Sequence, residues 1–222
     1  MLDCQLQSCL PDHSRENGIA SRLGRVPLVA KYEMALPNLL FMKQKAGAFG
    51  MSRGGTIVDE IVLHGTESLG TETQSLDYLS SANKDNHSTH YWIGRTQGLL
   101  YSITPEEKLT YHAGNPKKHP TVKDHNPRSI GIEMYQIDPA KARKAGGKPD
   151  FSDWQYDTVV QLVYDICYRR KIKRSMVVAH GAINPIDRAD PQGFDWDRFK
   201  EGLYFLSFRM GAAMGADYFL LD

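Results

Sequence analysis

The chain has 222 residues, a formal net charge of +1 at pH 7, 41% hydrophobic and 24% charged residues, the figures of one soluble globular domain with a sizeable core. A charge so close to zero gives no global attraction for nucleic acid or acidic lipid, and no run nears the ~18–20 apolar residues of a membrane-spanning helix. Three cysteines are too few for a disulfide framework: free thiols are expected, with a Cys4–Cys9 pair as the alternative, and Cys167 reads as a small core hydrophobe.

The start, MLDCQLQSCLPDHSREN, lacks both a charged n-region and an apolar h-region, so no secretory signal is expected. Residues 1–55 show no steady periodicity and are expected to form an N-terminal arm of unknown role. Within them, 21–55 carry Arg22, Arg25, Lys31, Lys43, Lys45 and Arg53 against a lone Glu33. A solvated arm is the expectation, and a mild basic surface for an anionic polymer the alternative. Pro37 interrupts any helix over Leu28–Lys43. From Thr56 the signals sharpen. Ile57–Leu63 is a short β-branched run, a strand ending at His64. A helix is expected to start near Thr71 and to include Ser75–Ser81. His90–Thr104 reads as two strands around a Thr-Gln-Gly turn, a hairpin. Ser129–Tyr135 alternates apolar and polar residues as a strand does. Over Asp150–Lys171 a helix is predicted, with Ser152 and Gln155 at capping-box spacing and Trp154, Val159, Leu162, Val163, Ile166 and Cys167 mostly on one side. Met176–His180 is expected as a buried strand. Asp195–Phe208 is expected as a final helix over the sheet, followed by a tail over 209–222. Strands interleaved with helices, one hairpin included, predict an α/β fold: a mixed central sheet with helices packed on it. The domain is expected over 56–208.

Eight histidines compete for a chemical role. His64 and His180 each end a predicted strand; if those strands are neighbours, both imidazoles emerge at one edge. The loop GAINPIDRADPQGF after His180 then returns Asp190 as a third donor. Two His and one carboxylate, with a fourth position open, is a common catalytic zinc arrangement. A purely structural role for each strand-end His is the alternative. His87 and His90 are three apart, which on a strand puts them on opposite faces and disfavours chelation. His112, His119 and His125 fall in a Lys/Pro-rich loop. No H-E-x-x-H is present, which removes the helix-borne metalloprotease design. Glu133 is a carboxylate within an otherwise apolar strand, costly unless paired or functional. Partial burial would raise its pKa into the range of a general base; a solvent-facing Glu is the alternative.

Taken together, VLHGT, HYWIGRTQGLLYSI, YHAGN, NPRSIGIE and AHGAINPIDRADPQGFDW resemble the type 2 N-acetylmuramoyl-L-alanine amidases. That group is similar to phage amidase lysozymes, anhydromuropeptide-recycling amidases and peptidoglycan recognition proteins. The resemblance covers about Thr56–Phe199 and implies that fold, with a zinc site at the sheet edge. It implies zinc held by His64, His180 and Asp190, and Glu133 as general base in hydrolysis of the amide joining N-acetylmuramic acid to L-alanine of peptidoglycan or muropeptides. Family members commonly carry Lys two residues before the last ligand; here it is Arg188, which can stabilise an oxyanion but cannot donate a proton. His112 is implied to sit beside the substrate, and Asn126 to be a structural or substrate-contacting Asn. Thr89 stands where phage relatives carry a catalytic Tyr, so that role is not transferred, and Tyr91 is left as a lining candidate.

Two other readings compete: a binding module that grips muropeptide without cutting it, and a zinc peptidase acting within the stem peptide. Asp190 and Glu133, both present, favour the hydrolase. Action on periplasmic or extracellular wall after delivery by a holin or a secretion machine is expected, with cytoplasmic recycling as the alternative. The oligomeric state is not legible, although the apolar residues of Met210–Asp222 could pack on the core or on a second subunit.

Overall fold

The computed structural model describes residues 28–48, 50–114 and 123–222; Cys4, Cys9, Arg22, Arg25 and His119 lie outside the described residues. In chain order the elements begin with α1 (Leu28–Ala35), β1 (Met42–Gln44), β2 (Met51–Ser52), β3 (Glu60–Gly65) and α2 (Glu72–Ser80). They continue with β4 (Tyr91–Ile93), β5 (Leu100–Ser102), β6 (Lys108–Leu109), β7 (Ser129–Met134) and α3 (Pro139–Lys144). The chain closes with α4 (Asp153–Arg170), β8 (Val177–Ala179), α5 (His180–Ile183) and α6 (Trp196–Met214). Six strands form one sheet in the order β1-β5-β4-β7-β3-β8, and β2 pairs with β6 separately. Only the β4–β5 hairpin is antiparallel within the large sheet; the other neighbours run parallel. The expected mixed sheet with packed helices is therefore the fold found.

Alternation along the strands sorts side chains to two faces. Ile61 and Leu63, Ile130, Ile132 and Met134, and Tyr91 and Ile93 share one buried cluster with Val159, Leu162, Val163 and Ile166 of α4 and Phe199, Leu203 and Met210 of α6. Trp92 belongs to a smaller cluster with Leu76 and Leu79 of α2, Ile103 and Tyr135. In a parallel sheet, paired residues point to the same face. His64 pairs with Glu133 and Glu133 with Trp92, so His64 and Glu133 lie on the α2 side. On that face α2 packs over Trp92 and leaves a cleft beside it at His64 and Glu133, while α4 and α6 pack on the other.

Helix ends follow the sequence signals. Thr71 and Gln74 form a reciprocal capping box on α2, and Ser152 and Gln155 another on α4, each satisfying two otherwise orphaned backbone donors. Lys171 ends α4 in the left-handed region at φ 57°. Cys167 is buried within α4, as expected of a core hydrophobe.

Several expectations are corrected. Residues expected as an arm supply α1, β1 and β2; β1 joins the sheet edge beside β5 and β2 pairs with β6. Arg53 is buried, its guanidinium donating to the carbonyls of Glu106, Asn126, Pro127 and Ser129, so it is an internal brace and not part of a basic surface. β8 is half-buried because it is an edge strand covered on one side only. The last helix runs to Met214, beyond Phe208. Gly211 within it leaves room for the Phe219 ring, and Leu220 is buried, so the tail folds back on the core of its own chain.

Glu106 ties α4 to the sheet. It accepts from the Tyr91 hydroxyl at 2.7 Å and from Arg169 at 2.9 Å, and pairs with Arg170. Burial alone would raise its pKa, but hydrogen bonds from Arg169, Tyr91 and Arg170 outweigh burial and push it down to about 2. A carboxylate depressed in the folded state stabilises above its ordinary pKa and loses that contribution as pH falls through the folded value. Glu106→Gln is therefore expected to lower the melting temperature at pH 7, with the gap to wild type closing as pH falls from about 4.5 towards about 2. Thermal unfolding across that range checks it; a gap independent of pH would contradict it.

Candidate active site

Three parallel strands deliver the site. Leu63 pairs with Ala179, so the next residues, His64 and His180, leave β3 and β8 side by side. Glu133 lies opposite His64 on β7. All three therefore stand at the carboxyl edge of adjacent strands, where open α/β sheets place their ligands. The condition set by the sequence, that the two histidine strands be neighbours, is met. After His180 the chain makes the single turn of α5 and not the open loop expected there. The backbone N–H of Gly181 then donates to the carbonyl of Asp190 at 2.9 Å. That bond closes the loop, and a Cβ on Gly181 would press on Ala189 at 3.1 Å. Gly193, at φ 72°, turns the chain towards α6 where a side chain would collide with the Pro149 carbonyl.

The three donor atoms converge. His64 Nδ1 lies 3.0 Å from His180 Nδ1 and 3.3 Å from Asp190 Oδ2; His180 Nδ1 lies 3.3 Å from Asp190 Oδ1. Donors at ~2.0–2.2 Å from a tetrahedral zinc stand about 3.3 Å apart, so the hole has the right size for such an ion. All three residues are buried, and no other group of three such donors occurs among the described residues. His64 is lowered to about 4 by burial and by the neighbouring His180, which leaves it neutral and able to ligate at neutral pH. Burial would raise the Asp190 carboxyl, but the adjoining His180 and His64 rings hold it well below the usual range. Two imidazoles and a carboxylate pointed at one spot form a donor set that a divalent cation fits.

Glu133 Oε1 is 4.0 Å from His64 Nδ1, and its Oε2 is buried with no hydrogen-bond partner. Burial, then the charge of Asp190, raises it to about 8. A carboxyl held off other partners beside an ion site is suited to move a proton. Arg188 is exposed and lines the same cleft. The cleft has a volume of about 640 Å³; its walls include Glu67, Leu69, Tyr78, His87 and Tyr111.

Other candidates are placed elsewhere. Tyr91 does not line the cleft. It is one residue out of step with Trp92, so the pleat turns its side chain to the α4 face and its hydroxyl to Glu106. Asn126 is buried; its Oδ1 accepts from the N–H groups of His112 and Ala113, and its Nδ2 donates to Gly114 and Asp124. It shapes the loop carrying His112 and does not face the cleft. His112 does line the cleft, yet its two nitrogens are engaged by His64 at 3.0 Å and Ser129 at 3.2 Å. His90 accepts at Nδ1 from the Gly131 N–H and sits against Lys108 and Arg53, and His125 pairs with Glu60 at 2.7 Å; both are structural. Glu67 was not singled out by sequence. It follows His64 closely, adopts φ 44° and accepts from Gln192 at 2.6 Å, linking the two loops that rim the cleft.

The sequence profile described as N-acetylmuramoyl-L-alanine amidase matches residues 54–193. N-acetylmuramoyl-L-alanine amidase AmiD of Escherichia coli (strain K12) is 28% identical over 130 residues, 55% of this chain and 47% of the relative. The chain thus spans about half the length of that curated relative. The solved complex of AmiD with anhydro-N-acetylmuramic acid-L-Ala-D-gamma-Glu-L-Lys aligns over 70% of this chain and 60% of its own, with a TM-score of 0.52 and 25% identity. A mutant endolysin from Bacillus subtilis aligns over 73% of this chain and 97% of its own, with a TM-score of 0.53 and 21% identity, a likeness of fold. With a profile match spanning His64 through Asp190 and the same fold in these relatives, the chain belongs to the type 2 N-acetylmuramoyl-L-alanine amidase family.

Proposed function

We propose that this chain hydrolyses the amide between the lactyl group of N-acetylmuramic acid and L-alanine of the peptidoglycan stem peptide, using one zinc ion held by His64, His180 and Asp190. The observation that carries this reading is the convergence of those three donor atoms at 3.0–3.3 Å with a partnerless Glu133 oxygen alongside. When bound, zinc polarises the scissile carbonyl and acidifies water at neutral pH.

The protein's own residues supply the rest. The cleft receives the muropeptide at the strand edge. Glu133 takes a proton from the attacking water and returns it to the departing amine of L-alanine, so that one group serves as base and then acid. Arg188 stays protonated throughout and offers its guanidinium to the oxyanion that develops on the carbonyl oxygen. Loss of one such donor typically costs about 10²–10³ in rate. Asp190 and Glu133 together favour catalysis over mere binding, because a recognition module needs neither a third ligand nor a base.

Digestion of peptidoglycan followed by mass spectrometry tests the reading. Stem peptides with a free L-alanine amine are expected, and none when a chelator strips the protein. A cut within the stem peptide would instead identify a peptidase, and the absence of any product a binding protein. Intact sacculi and soluble anhydromuropeptides run in parallel separate wall lysis from recycling.

Two substitutions divide the roles. Asp190→Ala is expected to lose most of its zinc together with activity. Glu133→Gln is expected to keep stoichiometric zinc by elemental analysis while turnover falls by about 10²–10⁴. Near wild-type cleavage by Asp190→Ala, or loss of zinc from Glu133→Gln, would contradict the assignments.

A further inference from the structure

The cleft's fourth histidine is the unexplained one. His112 is half-buried beside the ion site, and it meets His64 at Nε2 whereas Asp190 meets that ring at Nδ1. Its Nδ1 is 3.0 Å from His64 Nε2, and the two rings meet edge to face with centroids 5.2 Å apart. Its Nε2 is 3.2 Å from Ser129 Oγ. The serine hydroxyl donates in turn to the His125 carbonyl at 2.6 Å.

This chain has one direction. Serine has a single hydroxyl proton, and it goes to a carbonyl that can only accept. Ser129 Oγ must therefore accept from His112, which puts the His112 proton on Nε2. A neutral imidazole with its proton on Nε2 has a lone pair on Nδ1, so His64 must donate through its own Nε2. The lone pair of His64 is then left on Nδ1, the atom that faces His180 and Asp190. The order runs backwards from one backbone carbonyl, through a serine and two imidazoles, to the ion site.

The sequence is shaped for this stack. A Cβ at residue 131 would lie 2.6 Å from His112 Cγ and 2.7 Å from its Nδ1, so only glycine on β7 admits the ring. Asn126 holds the loop from beneath by accepting two consecutive N–H groups, those of His112 and Ala113. Ser129, Gly131 and Glu133 fall on the same face of β7, so one alternating strand supplies the anchor of the relay, its clearance and the proposed base.

We infer that His112 and Ser129 are positioning residues that fix His64 in the tautomer whose Nδ1 lone pair faces the ion site, and that His112 is not a substrate contact. The inference rests on the zinc reading above. Metal-bound histidines commonly donate their second nitrogen to a carboxylate, carbonyl or water; here the acceptor is a second neutral imidazole, which orients the ring without adding a negative charge.

The test uses the full chain, metal-free, with ¹⁵N-labelled histidine. Long-range ¹H–¹⁵N spectra are expected to show His64 and His112 both protonated at Nε2. Ser129→Ala frees the far end of the relay, and His64 is expected to become a mixture of tautomers. His112→Phe keeps a ring in the Gly131 cradle but removes the acceptor, and its zinc affinity, measured against a competing chelator, is expected to fall about 10–100-fold. His64 protonated at Nδ1 in the wild type would overturn the inference. So would a folded His112→Phe binding zinc within about twofold of wild type, well inside the usual outer-shell effect. If His112→Phe does not fold, the Ser129→Ala spectrum decides, an unmixed Nε2 tautomer for His64 counting against the relay. Wild-type protein that takes up no zinc while His64 keeps its Nε2 proton would remove the metal reading itself, a failure distinct from that of the relay.

Discussion

Parallel pairing of β3 with β7 on one side and β8 on the other sets Glu133, His64 and His180 in a row across three strands. Everything functional in the molecule depends on that register. A slip by one residue would turn His64 into the apolar layer beneath α4 and bring Leu63 to the ion site. The register is held by burial: Ile61, Leu63, Ile130, Ile132 and Met134 are all buried on the opposite face. Full burial of such a side chain is worth about 1.5–3 kcal/mol, so a slip would expose several of them at once. The apolar face thus fixes the position of the polar one.

Loops complete what the strands begin. Asp190 is ten residues from His180 in sequence, yet the Gly181–Asp190 hydrogen bond brings it back beside its partner. Asn126 does the same for the segment bearing His112. In each case a backbone bond or a small side chain makes the turn, and the chemically active side chain is carried by it. Three donors converge within 3.0–3.3 Å of one another, and a cation held between them would relieve the crowding of their lone pairs.

Much of this was legible in the sequence because the patterns were local. His64 and His180 ended β-rich runs, Ser129–Met134 alternated, and Ser152 with Gln155 announced the start of α4. The misreadings arise from interactions that no local pattern encodes. The residue before or after a buried position is assigned to a face only once its partner strand is known, which is why Tyr91 was expected in the cleft and lies under α4. Met42–Gln44 is too short to read as a strand without Leu100–Ser102 beside it. Residues 209–222 were expected as a tail, but α6 runs to Met214, and Gly211 within it is the seat of the Phe219 ring. Ser129 and Gly131 were in view as the polar half of an alternating strand; their use appears only when His112 arrives from another loop.

The central claim is that His64, His180 and Asp190 hold one zinc ion while leaving a position open. Zinc K-edge X-ray absorption on the wild-type chain and on Asp190→Ala measures this directly. The expected wild-type spectrum has two imidazole nitrogens and at least one oxygen at about 2.0–2.2 Å, at one zinc per chain, with the oxygen shell reduced in Asp190→Ala. Sulfur donors in the wild-type shell, or an unchanged shell without Asp190, would show that the ion sits elsewhere.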